Sequence, residues 1–247
     1  MLTRACLTLS CWLLLPAAVL AASFTVNPVR VDLAAERPYA VMRITNLADT
    51  PVTLQARAYI WTGDEANNGL TATDAVILNP PLLSVAPGAT RFVRLGLRTP
   101  NQGKAEATYR LILQEVPKTS DPTEGAAIHT ILRISIPVFA APKTPIAAKL
   151  DWSLHESGAG KFKLVATNSG TAHVQIRELS MAPAEKTVEP KALTAPVYVL
   201  PGQSRTWEVE APDFAGQATM KVVAKTDAGT TEQIVGATNS GVAKNPN

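Results

Sequence analysis

The sequence predicts an all-β protein built as two immunoglobulin-like β-sandwich domains. Three observations carry this: apolar side chains alternate along short runs, turn residues separate those runs, and no long stretch keeps a helical period. The first domain is expected over 23–142 and the second over 143–237, with 238–247 a polar tail for which disorder is expected.

Residues 1–22 read as a secretory signal peptide. Arg4 supplies the charged start, Leu13–Leu20 the apolar run, and Ala21 or Ala22 the small-residue cleavage site. The apolar run is short for a membrane span and Pro16 interrupts it, so export as a soluble protein is expected. Both cysteines, Cys6 and Cys11, lie in this leader, which leaves the mature chain with no disulfide and no thiolate ligand or nucleophile. The formal charge of +3 falls by one without Arg4. No basic run concentrates it, which argues against nucleic acid as a partner.

The elements follow in order. "YAVMRITNLADTPVTLQARAYIWTG" reads as two antiparallel strands joined through the Asn46–Pro51 turn, and "LLSVAPGATRFVRLGLRTP" repeats the plan around Pro87-Gly88. "ATYRLILQEVP" is a further strand. About seven such runs in roughly 120 residues are what a sandwich of this kind needs. "AAPKTPIAAKL", with Pro142 and Pro145 and few bulky residues, marks the boundary. The same grammar then returns in "KFKLVATNSGTAHVQIRELSM", "YVLPGQSRTWEVEAP" and "ATMKVVAKTDAGTTEQIVGA".

One strand, "AIHTILRISIPVFAAP", has its apolar residues on every second position: Ile128, Leu132, Ile134 and Ile136, with Thr130 between them. Period two places these on one face and His129, Arg133 and Ser135 on the other, with Ile131 expected to point inward. Such a row ordinarily lies on the protein's own core, which is the expectation for Ile136 and Val138 near the linker.

Taken together, Arg30 in "SFTVNPVRVDL", then "ITNLADTPVTLQARAYIW", "NPPLLSVAPGATRFVRLGL", "YRLILQEVP" and "ILRISIPVF", in this order, resemble the periplasmic pilus-assembly chaperones of the usher pathway. The resemblance covers nearly all of the first domain and, more loosely, the second. It implies a boomerang of two immunoglobulin-like domains that lends a strand to pilus or related surface subunits lacking one and delivers them to an outer-membrane usher. It implies no cofactor. A free chaperone of this kind has an exposed edge that a homodimer can cap.

By this resemblance Ile128, Thr130, Leu132 and Ile134 form the lent strand, and Arg30 matches the arginine that binds the subunit's terminal carboxylate. Guanidinium suits that task because it stays charged and grips both oxygens. Read alone, Arg30 is equally an arginine on a solvated strand face. Burying four apolar side chains contributes on the order of 6–12 kcal/mol gross. A hydrogen bond to a charged group adds about 1.5–3 kcal/mol. The row is therefore expected to supply most of the affinity and the carboxylate to set the register.

The sequence departs from the family twice. The lysine that serves as a second anchor in better-studied members falls at Pro137 or Ser135, so Arg94 or Arg98, which share strand parity, or Arg91 or Arg133, are candidate replacements. The arginine expected just before the linker proline is Ala141. That leaves open what fixes the angle between the domains. Both departures point to a divergent or archaic branch.

Other classes of function find less support. The three histidines, His129, His155 and His173, have no metal-ligand spacing, and Asp64-Glu65 sits in a turn-like stretch. No phosphate loop, nucleophile elbow or HExxH motif occurs. Trp61, Trp152, Trp207 and Phe92 are expected in the cores, and Tyr109 as a packing tyrosine. A structural or adhesive surface protein of the same fold remains the alternative, separated by whether the strand around 126–136 is covered or free.

Overall fold

The computed structural model describes residues 24–63, 69–117, 131–185 and 188–239. The first domain holds β1 (Phe24–Asn27), β2 (Val31–Leu33), β3 (Tyr39–Asn46), β4 (Val52–Trp61), β5 (Leu70–Ala72), β6 (Val76–Asn79), β7 (Leu82–Val85), β8 (Thr90–Leu97), β9 (Ala107–Glu115) and β10 (Arg133–Ala140). One sheet runs β1-β3-β8-β6, and the other β2-β10-β9-β4-β5 with β7 also on β4. The alternation read from the sequence builds the core between them. Met42, Ile44, Leu54, Val93, Leu95, Leu111 and Leu113 all point into one buried cluster.

The two hairpins expected from the sequence are corners. The strands exist, but β3 and β8 belong to the first sheet while β4 and β7 belong to the second, so each turn carries the chain across the sandwich. One buried side chain explains the corner. Asn46 donates through Nδ2 to Thr50 O at 2.8 Å and Val85 O at 2.9 Å, and its Oδ1 accepts from Ala48 N–H at 2.9 Å. It therefore ties its own turn to the end of β7, and its N–H bonds Ala89 O beyond the Pro87-Gly88 turn at 3.0 Å.

The second domain holds β11 (Leu150–Gly158), β12 (Lys161–Asn168), β13 (Val174–Pro183), β14 (Lys191–Leu193), β15 (Val197–Val199), β16 (Ser204–Glu210), β17 (Thr219–Thr226) and β18 (Gly229–Asn239). It repeats the corner: Asn168 donates to Ala172 O at 2.7 Å and Val199 O at 3.0 Å, and accepts from Gly170 N–H at 3.0 Å. β17 and β18 form a true hairpin, with Gly229 at φ 127 closing the Asp227–Gly229 turn. β18 pairs with β17 along its first part and then runs parallel to β11 from Leu154↔Ala237, joining the two halves of the sheet. The second core gathers Phe162, Leu164, Ile176, Met181, Trp207 and Val222.

Among the aromatics, Trp61 and Trp207 are buried and Trp152 is half-buried, whereas Phe92 is 53% exposed on the outer face of the first sheet. Phe92 lies between Arg91 and the inward Val93, so its strand parity turns it outward. Asp64-Glu65, the leader and 240–247 lie outside the described residues.

Candidate functional site

β2 is short. It pairs, in parallel, only with Val138–Ala140 of β10, so among the described residues Arg133–Pro137 has no strand partner on that side. β9 covers the other side along its whole length, from Arg133↔Gln114 to Ala140↔Ala107. The unpaired side presents main-chain N–H and C=O groups that invite another strand. Pro137, which has no N–H to give, fits an edge.

The apolar row changes its surroundings along the strand. Ile136 and Val138 are each 1% exposed in the first core, while Ile134 and Leu132 are only partly buried against it. The face that closes the core thus continues past the point where the domain covers it. Ile131, on the other face and beyond the last β9 pair, is 45% exposed rather than inward. Ile128 and Thr130 lie outside the described residues.

On the outer face of the same sheet the register sets out two rows. Pro137 stands opposite Arg110, Arg110 opposite Tyr59, and Arg30 immediately precedes the Val31↔Val138 pair. Arg110 therefore flanks Pro137 from β9, at a strand spacing of about 4.8 Å, and Arg30 approaches its other side from the residue just before β2. In the next row Asp32, Phe139 and Thr108 are in register, and the Thr108 hydroxyl donates to Trp61 O at 2.6 Å.

The second domain closes over this second row. Trp61, Phe139 and Leu200 form a buried cluster flanked by Leu70 and Tyr198. Trp61 meets Tyr198 edge-on with ring centroids 5.6 Å apart, and the His173 ring lies flat on Phe139 at 3.5 Å. The arginine row lies beside this covered patch.

Arg30 is held by two carboxylates. Its Nε donates to both oxygens of Asp32 at 3.0 Å and its Nη1 to Asp227 Oδ2 at 2.9 Å, across the domain interface. Burial works to lower its pKa, but the hydrogen bonds to Asp227 and Asp32 and their charges raise it above the ordinary value. Burial likewise works to raise the Asp227 carboxyl. The Gln175 N–H, Arg30 and the charge of His173 outweigh that and hold it below the usual carboxylate range. Arg110 is different. Its guanidinium carbon stands 3.6 Å from the Trp61 ring centroid and 5.8 Å from that of Tyr198, with no carboxylate partner among the described residues. Burial, and secondarily the charge of Arg205 against that of Tyr198, lower its pKa.

Arg94 and Arg98 are not brought beside Arg30. Arg94 points outward from β8 in the first sheet, so the core of the sandwich separates it from the outer face of the second. Arg98 follows β8 and pairs with Asp74 at 3.6 Å, both exposed. Arg133 is on β10, at the far end of the open edge. Arg110 carries no signal in the sequence, because its place opposite Pro137 follows only from strand register. The same holds for Glu106, His173 and Asp227, which no local spacing connects.

Residues 23–145 match the family described as pili and flagellar-assembly chaperone, PapD N-terminal domain. The chain belongs to the PapD-like assembly chaperones. No curated protein sequence matches it. Among solved structures this chaperone is similar to the CsuC–CsuE chaperone–tip adhesion subunit complex from the archaic Csu pili of Acinetobacter baumannii, at 18% identity and TM-score 0.62, over 89% of this chain and 100% of that one. It is also similar to the Salmonella enterica SafA pilin–SafB chaperone complex, at 16% identity and TM-score 0.60 over 86% and 96%. The Pseudomonas aeruginosa CupB2 chaperone follows at 17% identity and TM-score 0.56 over 87% and 100%. At these identities the likeness is one of fold: two sandwich domains set at an angle.

In this PapD-like chaperone no linker arginine joins the domains. Glu106 and Arg30 of the first domain instead reach His173 and Asp227 of the second, and Glu106 N–H also bonds Thr171 O at 2.9 Å.

Proposed function

We propose that this chaperone is periplasmic and holds pilus or related surface subunits that lack a strand, by lending the open edge of β10, and passes them to an outer-membrane usher. The observation that carries this is the Arg133–Pro137 edge, unpaired among the described residues, continuous with a core-forming apolar row and adjacent to two arginines. Main-chain bonds along the edge give affinity for any subunit, and Leu132 and Ile134, with Ile128 and Thr130 before them, fill its alternate pockets. Arg30 anchors the subunit's terminal carboxylate. Arg110, in register with Pro137 where the family's lysine is missing, is the second anchor in place of Arg94 or Arg98.

The test is recovery of partners by tagged protein from the periplasm of fibre-producing cells, wild type beside Arg30→Ala, with bound proteins identified by mass spectrometry. Capture of a small secreted sandwich protein by wild type alone is expected. Capture by both discards Arg30 as the anchor, and capture by neither turns the reading toward a structural or adhesive surface protein.

A further inference from the structure

His173 is the one buried side chain whose polar atom has no hydrogen-bond partner among the described residues, and that atom is Nε2. The rest of the ring is fixed. Nδ1 lies 2.6 Å from Glu106 Oε2, the His173 N–H donates to the same oxygen at 3.0 Å, and the ring is stacked on Phe139. Since a carboxylate only accepts, Nδ1 is the N–H donor to Glu106. Nε2 faces Asp227 Oδ2 at 3.6 Å, too far for a hydrogen bond, while that oxygen accepts from Arg30 Nη1 at 2.9 Å.

From this geometry we infer that Asp227 is a stand-in for the subunit carboxylate on Arg30, and that His173 is the positioning residue that receives Asp227 when the subunit displaces it. This rests on Arg30 being the anchor proposed above.

The carboxylate has a pivot. Its Oδ1 accepts from Gln175 N–H at 2.9 Å, so a small rotation carries Oδ2 from Arg30 toward Nε2. With a hydrogen on each ring nitrogen, Nδ1–H to Glu106 and Nε2–H toward Asp227, the exchange moves no proton: Asp227 trades one donor, Arg30 Nη1–H, for another, His173 Nε2–H. The vacated Nη1 then grips the incoming carboxylate. Without His173 the displaced Asp227, 15% exposed, would be left half-buried and short of a partner, which opposes displacement. The groups facing the ring are Glu106 and Asp227, with Arg30 behind Asp227, and Phe139 and Tyr198 as uncharged walls. Glu106 belongs to the first domain and His173 to the second, so the same ring also clamps the interface that Ala141 leaves without a linker cation.

The exchange can be read without a subunit. Full-length protein labelled with 15N-histidine is compared as wild type, Arg30→Gln and Arg30→Gln/Asp227→Ala by NMR of the imidazole nitrogens. Arg30→Gln frees Asp227, and the expected result is a downfield shift of the His173 Nε2–H signal as it gains an acceptor, a shift absent from wild type and from Arg30→Gln/Asp227→Ala. Identical His173 signals in wild type and Arg30→Gln would overturn the inference. So would the same shift in the variant that lacks Asp227. His155, half-buried and hydrogen-bonded to the Thr238 hydroxyl through Nδ1, is the internal reference. Adding a recovered subunit to wild type should induce the same shift as Arg30→Gln. A subunit that binds without inducing it also overturns the inference. Failure to recover any subunit bears on the proposed function and leaves the Arg30→Gln result standing.

Discussion

Alanine substitutions walked along the apolar row of β10 should separate stability from capture, because the row passes from a closed core to an open edge within one strand. Ile136 is 1% exposed, so Ile136→Ala leaves a cavity and should cost about 2–5 kcal/mol of folding free energy. Ile134 and Leu132 are partly buried against the same cluster. They lose less transfer energy and leave no enclosed void, so each should cost about 1 kcal/mol or less. In capture the order inverts. If Leu132 becomes fully buried in a subunit, Leu132→Ala forfeits about 1.5–3 kcal/mol of binding. That corresponds to on the order of 10- to 100-fold in Kd. Urea denaturation of the free variants gives the first quantity and competition for a recovered subunit the second. The reasoning fails if Ile134→Ala and Leu132→Ala destabilise the free protein as much as Ile136→Ala, or if they leave capture unchanged.

The other predictions concern the corners, the anchors and acid. Asn46→Ala and Asn168→Ala each remove a buried amide bonded to two carbonyls and at least one N–H, and should each lose about 2–4 kcal/mol in urea denaturation. A loss below about 1 kcal/mol at either site would contradict the corner account. Arg110→Ala should weaken capture with little change in stability, whereas Arg98→Ala removes only an exposed pair contributing about 0–1 kcal/mol and should leave capture intact. Equal losses in both would show that the register argument misplaces the anchor. The depressed Asp227 carboxyl contributes stability that is complete above the ordinary carboxyl range and lost as pH falls below about 4 through its lowered folded value. Asp227→Asn should flatten that acid limb of a urea-midpoint-against-pH series, and an unchanged limb would exclude the residue.

Much of the fold is legible in the sequence because the period-two alternation of β3, β4, β8 and β9 states which side chains face the core. Which strands pair is not. The Asn46–Pro51 and Pro87-Gly88 turns read as hairpins, and only the buried Asn46 amide, tying one turn to Val85, shows that both are corners between sheets. Arg30, the anchor proposed above, stands out by its motif. Arg110 does not, since it becomes a neighbour of Pro137 only when β9 and β10 pair in the observed register. Glu106, His173 and Asp227 are further removed still. They meet because two domains dock, and nothing local to any of them encodes that.

The proposed function stands on β10 lending its open edge to a subunit that lacks a strand. Hydrogen exchange of the backbone amides, with and without a recovered subunit, tests it most directly. Protection on binding should appear across 131–136, on the side of β10 that β2 leaves uncovered, and extend to the segment around Arg30. Protection confined to the outer face of the β1-β3-β8-β6 sheet, with 131–136 exchanging as in the free protein, would contradict strand lending.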